Sequence, residues 1–587
     1  MAGKDDACYR RGNGFELPDT TDPINRVERR YLSIMFCDLV NSTGLATRLD
    51  PEDLLQLIQT YRNLCVETIK FYGGFTAGYV GDGTMSCFGY PQAHEDDAER
   101  AVYAALDLLN SFKTRKTGLT DGAGNSISVR IGIASGLVVV GNSAGTGSVP
   151  EKTVIGQAPN LAARLQSMAQ PGTVIVSTET RNLVQNRFRL KKIGLRSLAG
   201  FEKTQMLWQV TDETDSSARF HNGRKINGSE LVGRDGEFKH VIRQWNRARR
   251  RDGRVILICG ETGIGKSKLL ETVCAHVPPE SCNRLIYQCS PLHGNDDIRA
   301  CLARMQATVR SLSGDAGARQ SLTGNPDETR PCLIILEDAQ WLTPWALELL
   351  TELIMQIPGK PVLLAISCRL QFRPPVSWLE RDHVERISLS PINRSAAELL
   401  IRRISGEIRI PASLVSRIVD KADGIPFFLE ELTGTALLAW RPGSRNLPQL
   451  LEDTEIPGKV RTVLMTRLDQ DSSSREVAQI CAALGREFSY DMLAKVWAHH
   501  PKKLYPALNS LCRSGLLLRT GNGNDARYAF KWTLMRAVAY QSMLKRVRQK
   551  LHRRISRIML EHFPDYARLH PEILNHHSSL AGGRENH

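Results

Sequence analysis

From Tyr31 onward the chain alternates short β-rich apolar runs with amphipathic stretches. YLSIMF (31–36) predicts a strand, and residues 52–70 place Leu54, Leu55, Ile58, Tyr61, Leu64, Cys65 and Ile69 at helical spacing. FTAGYV and TMSCF flank GDG (81–83), which predicts a β-hairpin. A helix over 94–113, a strand at SVRIGIAS (128–135), a helix over 158–169 and a strand at TVIVS (173–177) follow. This order predicts an α+β domain over 29–210 with helices on one face of a sheet. Residues 1–28 are polar and aperiodic, as in a disordered tail. A polar linker (211–229) leads to a second unit, 230–440, whose runs VILICG, CLIILE and VLLAIS predict buried parallel strands of an α/β domain. A second linker (441–458) precedes a mostly helical region, 459–548, with a small β-wing from LLLRT and RYAF joined by GNGND. Residues 549–587 read as a basic helix and a short remnant.

Composition narrows the classes. The 587 residues are 42% apolar and 24% charged, which excludes a wholly disordered or fibrous chain. No apolar run approaches the roughly 18 residues of a membrane span. The N-terminus has no signal-peptide pattern. Thirteen Cys lie scattered, without metal spacing, which predicts reduced thiols in a cytoplasmic protein. The net charge of +15 admits an acidic partner. Its densest run, 541–560, holds Lys545, Arg546, Arg548, Lys550, Arg553, Arg554 and Arg557 beside an apolar stripe of Leu544, Leu551, Ile555 and Leu560. That reads as a solvated helix face, with phosphate contacts to DNA as the alternative.

Gly260, Glu261, Thr262, Gly263, Ile264, Gly265, Lys266 and Ser267 spell a phosphate loop between an apolar strand and a helical stretch. Its backbone N–H groups can cradle phosphate oxygens. Lys266 is expected at the β/γ-phosphates and Ser267 on one Mg²⁺. Glu337 and Asp338, ending CLIILE, are placed to hold that ion and orient a water. With LEDAQW (336–341), ISCR (366–369) and DGIPFFLEEL (423–432), the segment resembles the ATPase module of signal-transduction ATPases with numerous domains. The resemblance implies that Arg369 senses the γ-phosphate and that Gly424–Pro426 lies near the nucleotide in a helical lid. Gln340 stands where relatives often have His. LGREFSY (484–490) resembles that family's winged-helix segment.

Asp38 in FCDLVNST and Asp82 in VGDGTMSCFGYP each end a strand. Two converging carboxylates suit Mg²⁺ bound with substrate phosphates, whereas each taken singly could cap a turn. Asn160 and Arg164, in TVIGQAPNLAARLQSMA, are spaced for one helix face. In this order the motifs resemble the class III nucleotidyl cyclase catalytic domain over about 31–210, with HEDDAERAV (94–102) and RIGIASGLVVVG (130–141) extending the likeness. The resemblance implies a ferredoxin-like βαββαβ fold. It implies two Mg²⁺ ions per site, with Mn²⁺ as a substitute, held by Asp38 and Asp82. Asn160 would orient the ribose and Arg164 would stabilise charge at the α-phosphate. It further implies a site formed between two copies in a head-to-tail homodimer. Gly78 occupies a position where ATP-using relatives carry Lys, and Thr153 is the companion base-reading position. LAG (198–200) replaces a family LKG, with Lys203 nearby.

The whole order resembles soluble adenylyl-type multi-domain cyclases: an α+β ferredoxin-like cyclase domain, an α/β P-loop NTPase domain and a mostly helical winged-helix region. The expected function is conversion of ATP to cyclic AMP and pyrophosphate, regulated by the ATP-binding switch. Longer relatives continue into helical repeats that are not expected here, so the sensing part is expected to be either lost or supplied by another protein acting as regulator. The alternatives are a signalling ATPase or transcription regulator with a degenerate cyclase domain, and a cyclase with relaxed or guanylate base selectivity. His499–His500 and His576–His577 read as surface polar pairs, and Trp341, Trp345 and Trp378 as core.

Overall fold

The computed structural model describes residues 27–113, 127–142, 152–185, 187–213, 231–289, 295–312, 330–439, 456–469, 472–497, 499, 501–521 and 526–582. The tail, most of both linkers and most of the GNGND turn lie outside them.

The N-terminal strands are β1 (Glu28–Leu39), β2 (Phe75–Val80), β3 (Gly83–Phe88), β4 (Val129–Asn142), β5 (Lys152–Gly156), β6 (Val174–Val176), β7 (Phe188–Arg196) and β8 (Gln205–Glu213). They form one sheet, ordered β2-β3-β1-β4-β6-β8-β7, with β5 paired to β4. The first four strands are antiparallel neighbours in the order β2-β3-β1-β4, the arrangement of a ferredoxin-like βαββαβ core. β8 runs three residues into the stretch read as linker.

The sequence predicts helices on one face, and the structure corrects this. Met35, Cys37 and Leu39 of β1 pack with the helices Pro51–Phe71 and Asp97–Lys113 on one side. Leu32 and Ile34 pack with the helix Gln157–Met168 on the other. β1 is apolar on both alternating faces, so both faces need cover. The helix Gln157–Met168 sits close because β4 offers Gly132: a Cβ there would lie 2.2 Å from the Gln166 nitrogen.

The central domain has five parallel strands, β9 (Arg254–Cys259), β10 (Asn283–Gln288), β11 (Cys332–Glu337), β12 (Val362–Cys368) and β13 (Val384–Ser388), ordered β10-β11-β12-β9-β13. β9, β11 and β12 are buried along their whole lengths, as their unbroken apolar runs require. Trp378 is fully buried against them.

The C-terminal region is mainly helical around a three-stranded antiparallel sheet of β14 (Glu487–Ser489), β15 (Leu517–Thr520) and β16 (Arg527–Phe530). The basic stretch is the helix Lys545–His562, whose buried residues are His552, Ile555, Ile558 and Met559. His577 is not a surface residue: it is buried and meets His552, Nδ1 to Nδ1, at 2.8 Å. His576 is exposed, and His499 pairs with Glu476 at 3.1 Å. Among the described residues no helix is long and apolar enough to cross a membrane.

Candidate functional site

Two sites emerge, one in each of the first two domains. In the N-terminal domain Asp38 lies near the end of β1 and Asp82 in the tight β2–β3 turn. Their neighbours hold both segments. Tyr61 Oη donates to the Cys37 carbonyl at 2.8 Å, and Arg62 Nη2 donates to the Gly81 carbonyl at 2.6 Å. The pairing of β1 with β3, at Cys37 opposite Thr84, then brings the two carboxylates together.

Burial raises the pKa of Asp38 first, and the negative charge of Asp82 raises it further, with Arg130 opposing both. The Oδ2 of Asp82 is buried with no hydrogen-bond donor. Like charges held together with an unsatisfied buried oxygen are what a cation would relieve. Only two carboxylates meet here, and among the described residues no group of three or more His, Cys, Asp or Glu could hold a metal. The residues present therefore fit Mg²⁺ or Mn²⁺ bound jointly with substrate phosphates.

Two contacts to Asp38 Oδ2 have no signature in the sequence. Arg130 Nη2 lies 3.3 Å away and Gln166 Nε2 donates at 3.0 Å. Arg130 is the direct cross-strand partner of Asp38, a register no local pattern reveals. Asn160 and Arg164 are both exposed on the helix Gln157–Met168, and it is Gln166 from this helix that contacts Asp38. Gly78 lies at a bulge in β2, and a Cβ there would meet nothing within 4 Å. Thr153 lies on β5, opposite Gly141 of β4, half-exposed.

In the central domain the phosphate loop joins β9 to the helix Lys266–His276. Gly263 (φ +78°) and Gly265 (φ +103°) take left-handed backbone that favours glycine. Lys266 is buried, and its Nζ donates to the carbonyls of Gly260 and Glu261, each at 3.0 Å. Burial lowers its pKa, with Asp338 opposing. The loop borders a cavity of about 530 Å³ that also includes Ser267, Asp338 and Arg369. Glu337 is buried beside it at the end of β11. Asp338 takes left-handed backbone, φ 58°, and accepts from Gln288 Nε2 and Gln340 Nε2. Gln340 Oε1 in turn accepts from the Arg369 backbone N–H, so the unexpected Gln ties the ends of β11 and β12. Trp341 is not core: it is 37% exposed, lines the cavity and lies under the Arg369 guanidinium, 5.4 Å from its ring centre. The exposed Ser267 and half-buried Asp338 on the cavity wall, with buried Glu337 behind them and an ammonium alongside, suit one Mg²⁺ on a bound nucleotide.

Comparison with known proteins finds a match for each of the two domains. Residues 25–212 match the family described as adenylate and guanylate cyclase catalytic domain, and residues 230–365 match the AAA ATPase domain. The chain carries a class III cyclase domain followed by an AAA-type ATPase domain. An uncharacterized protein of Rhizobium meliloti (strain 1021) is 26% identical over 585 residues, covering 90% of this chain and 56% of its own length. The chain thus spans about half of that relative. An adenylate cyclase of Anabaena cylindrica is 34% identical over 27% of this chain and 32% of its own length. Among solved structures, the adenylyl cyclase CyaB of P. aeruginosa is 30% identical over 32% of this chain and 98% of its own, with a TM-score of 0.30. The guanylate cyclase domain of RhGC from Catenaria anguillulae, in complex with GTP, is 25% identical over 32% of this chain and 99% of its own, also with a TM-score of 0.30.

Proposed function

We propose that the cyclase domain converts ATP to cyclic AMP and pyrophosphate, and that the ATPase domain regulates it as an ATP-binding switch. The observation that carries the reading is the meeting of Asp38 with Asp82, whose buried Oδ2 has no donor. In this reading Asp38 and Asp82 hold two Mg²⁺ ions, which supply Lewis-acid activation of the ribose 3′-hydroxyl and charge neutralisation at the triphosphate. The 3′-oxygen bonds to the α-phosphorus, its proton leaves, and the bond to the bridging oxygen of pyrophosphate breaks. Gln166 and Arg130 orient Asp38. Arg164 stabilises charge growing on the α-phosphate, and Asn160 orients the ribose. Their exposure supports a site completed by a second copy of the chain, in a head-to-tail homodimer. The name of the Anabaena cylindrica relative supports ATP as substrate.

A second reading concerns the base alone. The open space at Gly78, which has no side chain to donate to a base, favours relaxed or guanylate selectivity, whereas Thr153 can still hydrogen-bond adenine. At the other site, Lys266, Ser267, Glu337 and Asp338 bind ATP with one Mg²⁺, and Arg369 senses its terminal phosphate. Two substitutions separate the sites. Asp38→Ala is expected to abolish cyclic nucleotide formation and leave ATP hydrolysis. Lys266→Ala is expected to abolish nucleotide binding at the ATPase domain and change the cyclase rate. If Asp38→Ala leaves cyclisation intact, the assignment of the carboxylates is wrong.

A further inference from the structure

Glu95 belongs to the cyclase domain, in the segment leading into the helix Asp97–Lys113, yet its carboxylate lies in the ATPase cavity. Its Oε2 accepts from Arg369 Nη2 at 2.8 Å, and its Oε1 accepts from Thr262 Oγ1 at 3.3 Å. Its side chain is 19% exposed. Asp96, Glu99 and Arg187 of the cyclase domain complete that wall of the cavity.

The segment carrying Glu95 is held firmly. The Pro91 carbonyl accepts from Arg30 Nη2 at 3.0 Å, and the Ala93 N–H donates to Asp469 Oδ2 at 3.1 Å. Asp469 also pairs with Arg30, and with Arg475 at 2.9 Å, in a buried cluster between the cyclase domain and the C-terminal region. The preceding residue of the phosphate loop is tied elsewhere. Glu261 pairs with Arg467 at 2.8 Å and with Lys531 at 2.9 Å, both from the C-terminal region. Consecutive residues of one phosphate loop are thus linked to the two flanking domains.

We infer that Glu95 makes the ATPase site distinguish nucleoside triphosphate from diphosphate on behalf of the cyclase domain. This rests on the reading of that cavity as a nucleotide site. A diphosphate fills the cradle of backbone N–H groups around Lys266. A third phosphate extends toward Arg369, just past the end of β12, and Thr262 of the phosphate loop, which already serve Glu95. Phosphate and carboxylate compete for the same guanidinium and repel each other. Triphosphate therefore expels Glu95 and opens the contact between the two domains, whereas diphosphate leaves it closed. A ligand shifts such an equilibrium only through its different affinity for the two states, and the carboxylate supplies that difference.

The test uses the full chain in an Asp38→Ala background, which silences the metal-dependent cyclase site so that nucleotide binding reports the ATPase site, with Mg²⁺, ADP and a non-hydrolysable ATP analogue. Glu95→Gln is expected to bind the ATP analogue about tenfold more tightly than the background chain, within the usual range of coupling between sites, and ADP equally well. In the native chain, amide hydrogen exchange over 90–97 and 184–187 is expected to speed up with the ATP analogue and not with ADP. That second measurement does not depend on any variant folding. Lys266→Ala separates the two readings. If it leaves nucleotide binding unchanged, the nucleotide site itself is misassigned. If it abolishes binding, while Glu95→Gln binds both nucleotides like the background chain and exchange does not respond to the ATP analogue, the role of Glu95 alone is overturned.

Discussion

Neutralising Asp82 is expected to move stability and activity in opposite directions. The cyclase domain brings two carboxylates together: burial first, and then the charge of Asp82, raises the pKa of Asp38, and one buried oxygen of Asp82 has no donor. Two unit charges about 4 Å apart repel by about 1 kcal/mol in water and about 4 kcal/mol at an effective dielectric of 20. The pair is half-buried, so Asp82→Asn relieves about 1–4 kcal/mol, and the new amide can donate to Asp38. For a domain of this size that is a rise in melting temperature of about 2–4 °C per kcal/mol. The assay is thermal unfolding in EDTA, followed through the transition of the cyclase domain. Mn²⁺ is expected to stabilise the native chain, because an ion that binds only the folded state shifts the equilibrium toward it, and to stabilise the variant much less. Cyclic nucleotide formation is expected to fall about a thousandfold, since a few kcal/mol of charge stabilisation is lost at about 1.36 kcal/mol per decade. A variant that melts lower in EDTA and still cyclises would refute the reasoning.

Two further perturbations probe the support of the site. Gly132→Ala would place a methyl 2.2 Å from the Gln166 nitrogen and 2.3 Å from the Ala162 carbonyl oxygen. It is expected to cost about 1–3 kcal/mol and to cut cyclase activity by displacing the helix that carries Asn160, Arg164 and Gln166, checked by denaturant unfolding and product assay. A variant of native stability and rate would show that this packing does not position the helix. The His552–His577 pair predicts a pH dependence. Burial first, then neighbouring positive charge, lowers both to about 4, while Tyr540 Oη meets His552 Nε2 at 2.8 Å. The unfolded chain, with histidines near 6.5, binds more protons below that pH, so stability rises with pH from about 4 to about 6.5. Melting temperature is expected to fall between pH 6.5 and 5, and less steeply in His577→Gln. Parallel curves would contradict the pairing.

The legible parts of this chain were the local ones. The phosphate loop, the carboxylate-bearing strand end and turn, and the buried parallel strands each follow from residues close in sequence. Arg130 and Gln166 were not visible, because cross-strand register and the seating of a helix on Gly132 depend on packing between distant segments. The placing of helices on both faces followed from β1 being apolar at every position from Leu32 to Cys37 except Ser33, a run too short to distinguish one-sided from two-sided burial. Glu95 was hidden for a stronger reason. It lies inside a stretch of the cyclase domain, while its partners Thr262 and Arg369 belong to another domain. The buried His577 likewise looked polar until His552 supplied its partner from a separate helix.

The most direct test is product identification. Purified chain is incubated with ATP, or separately with GTP, in Mg²⁺ and in Mn²⁺, and the products are resolved by mass spectrometry. The account predicts cyclic AMP and pyrophosphate in equal amounts from ATP, absent with Asp38→Ala. No cyclic nucleotide from either substrate with either metal, while ADP still forms, would contradict it.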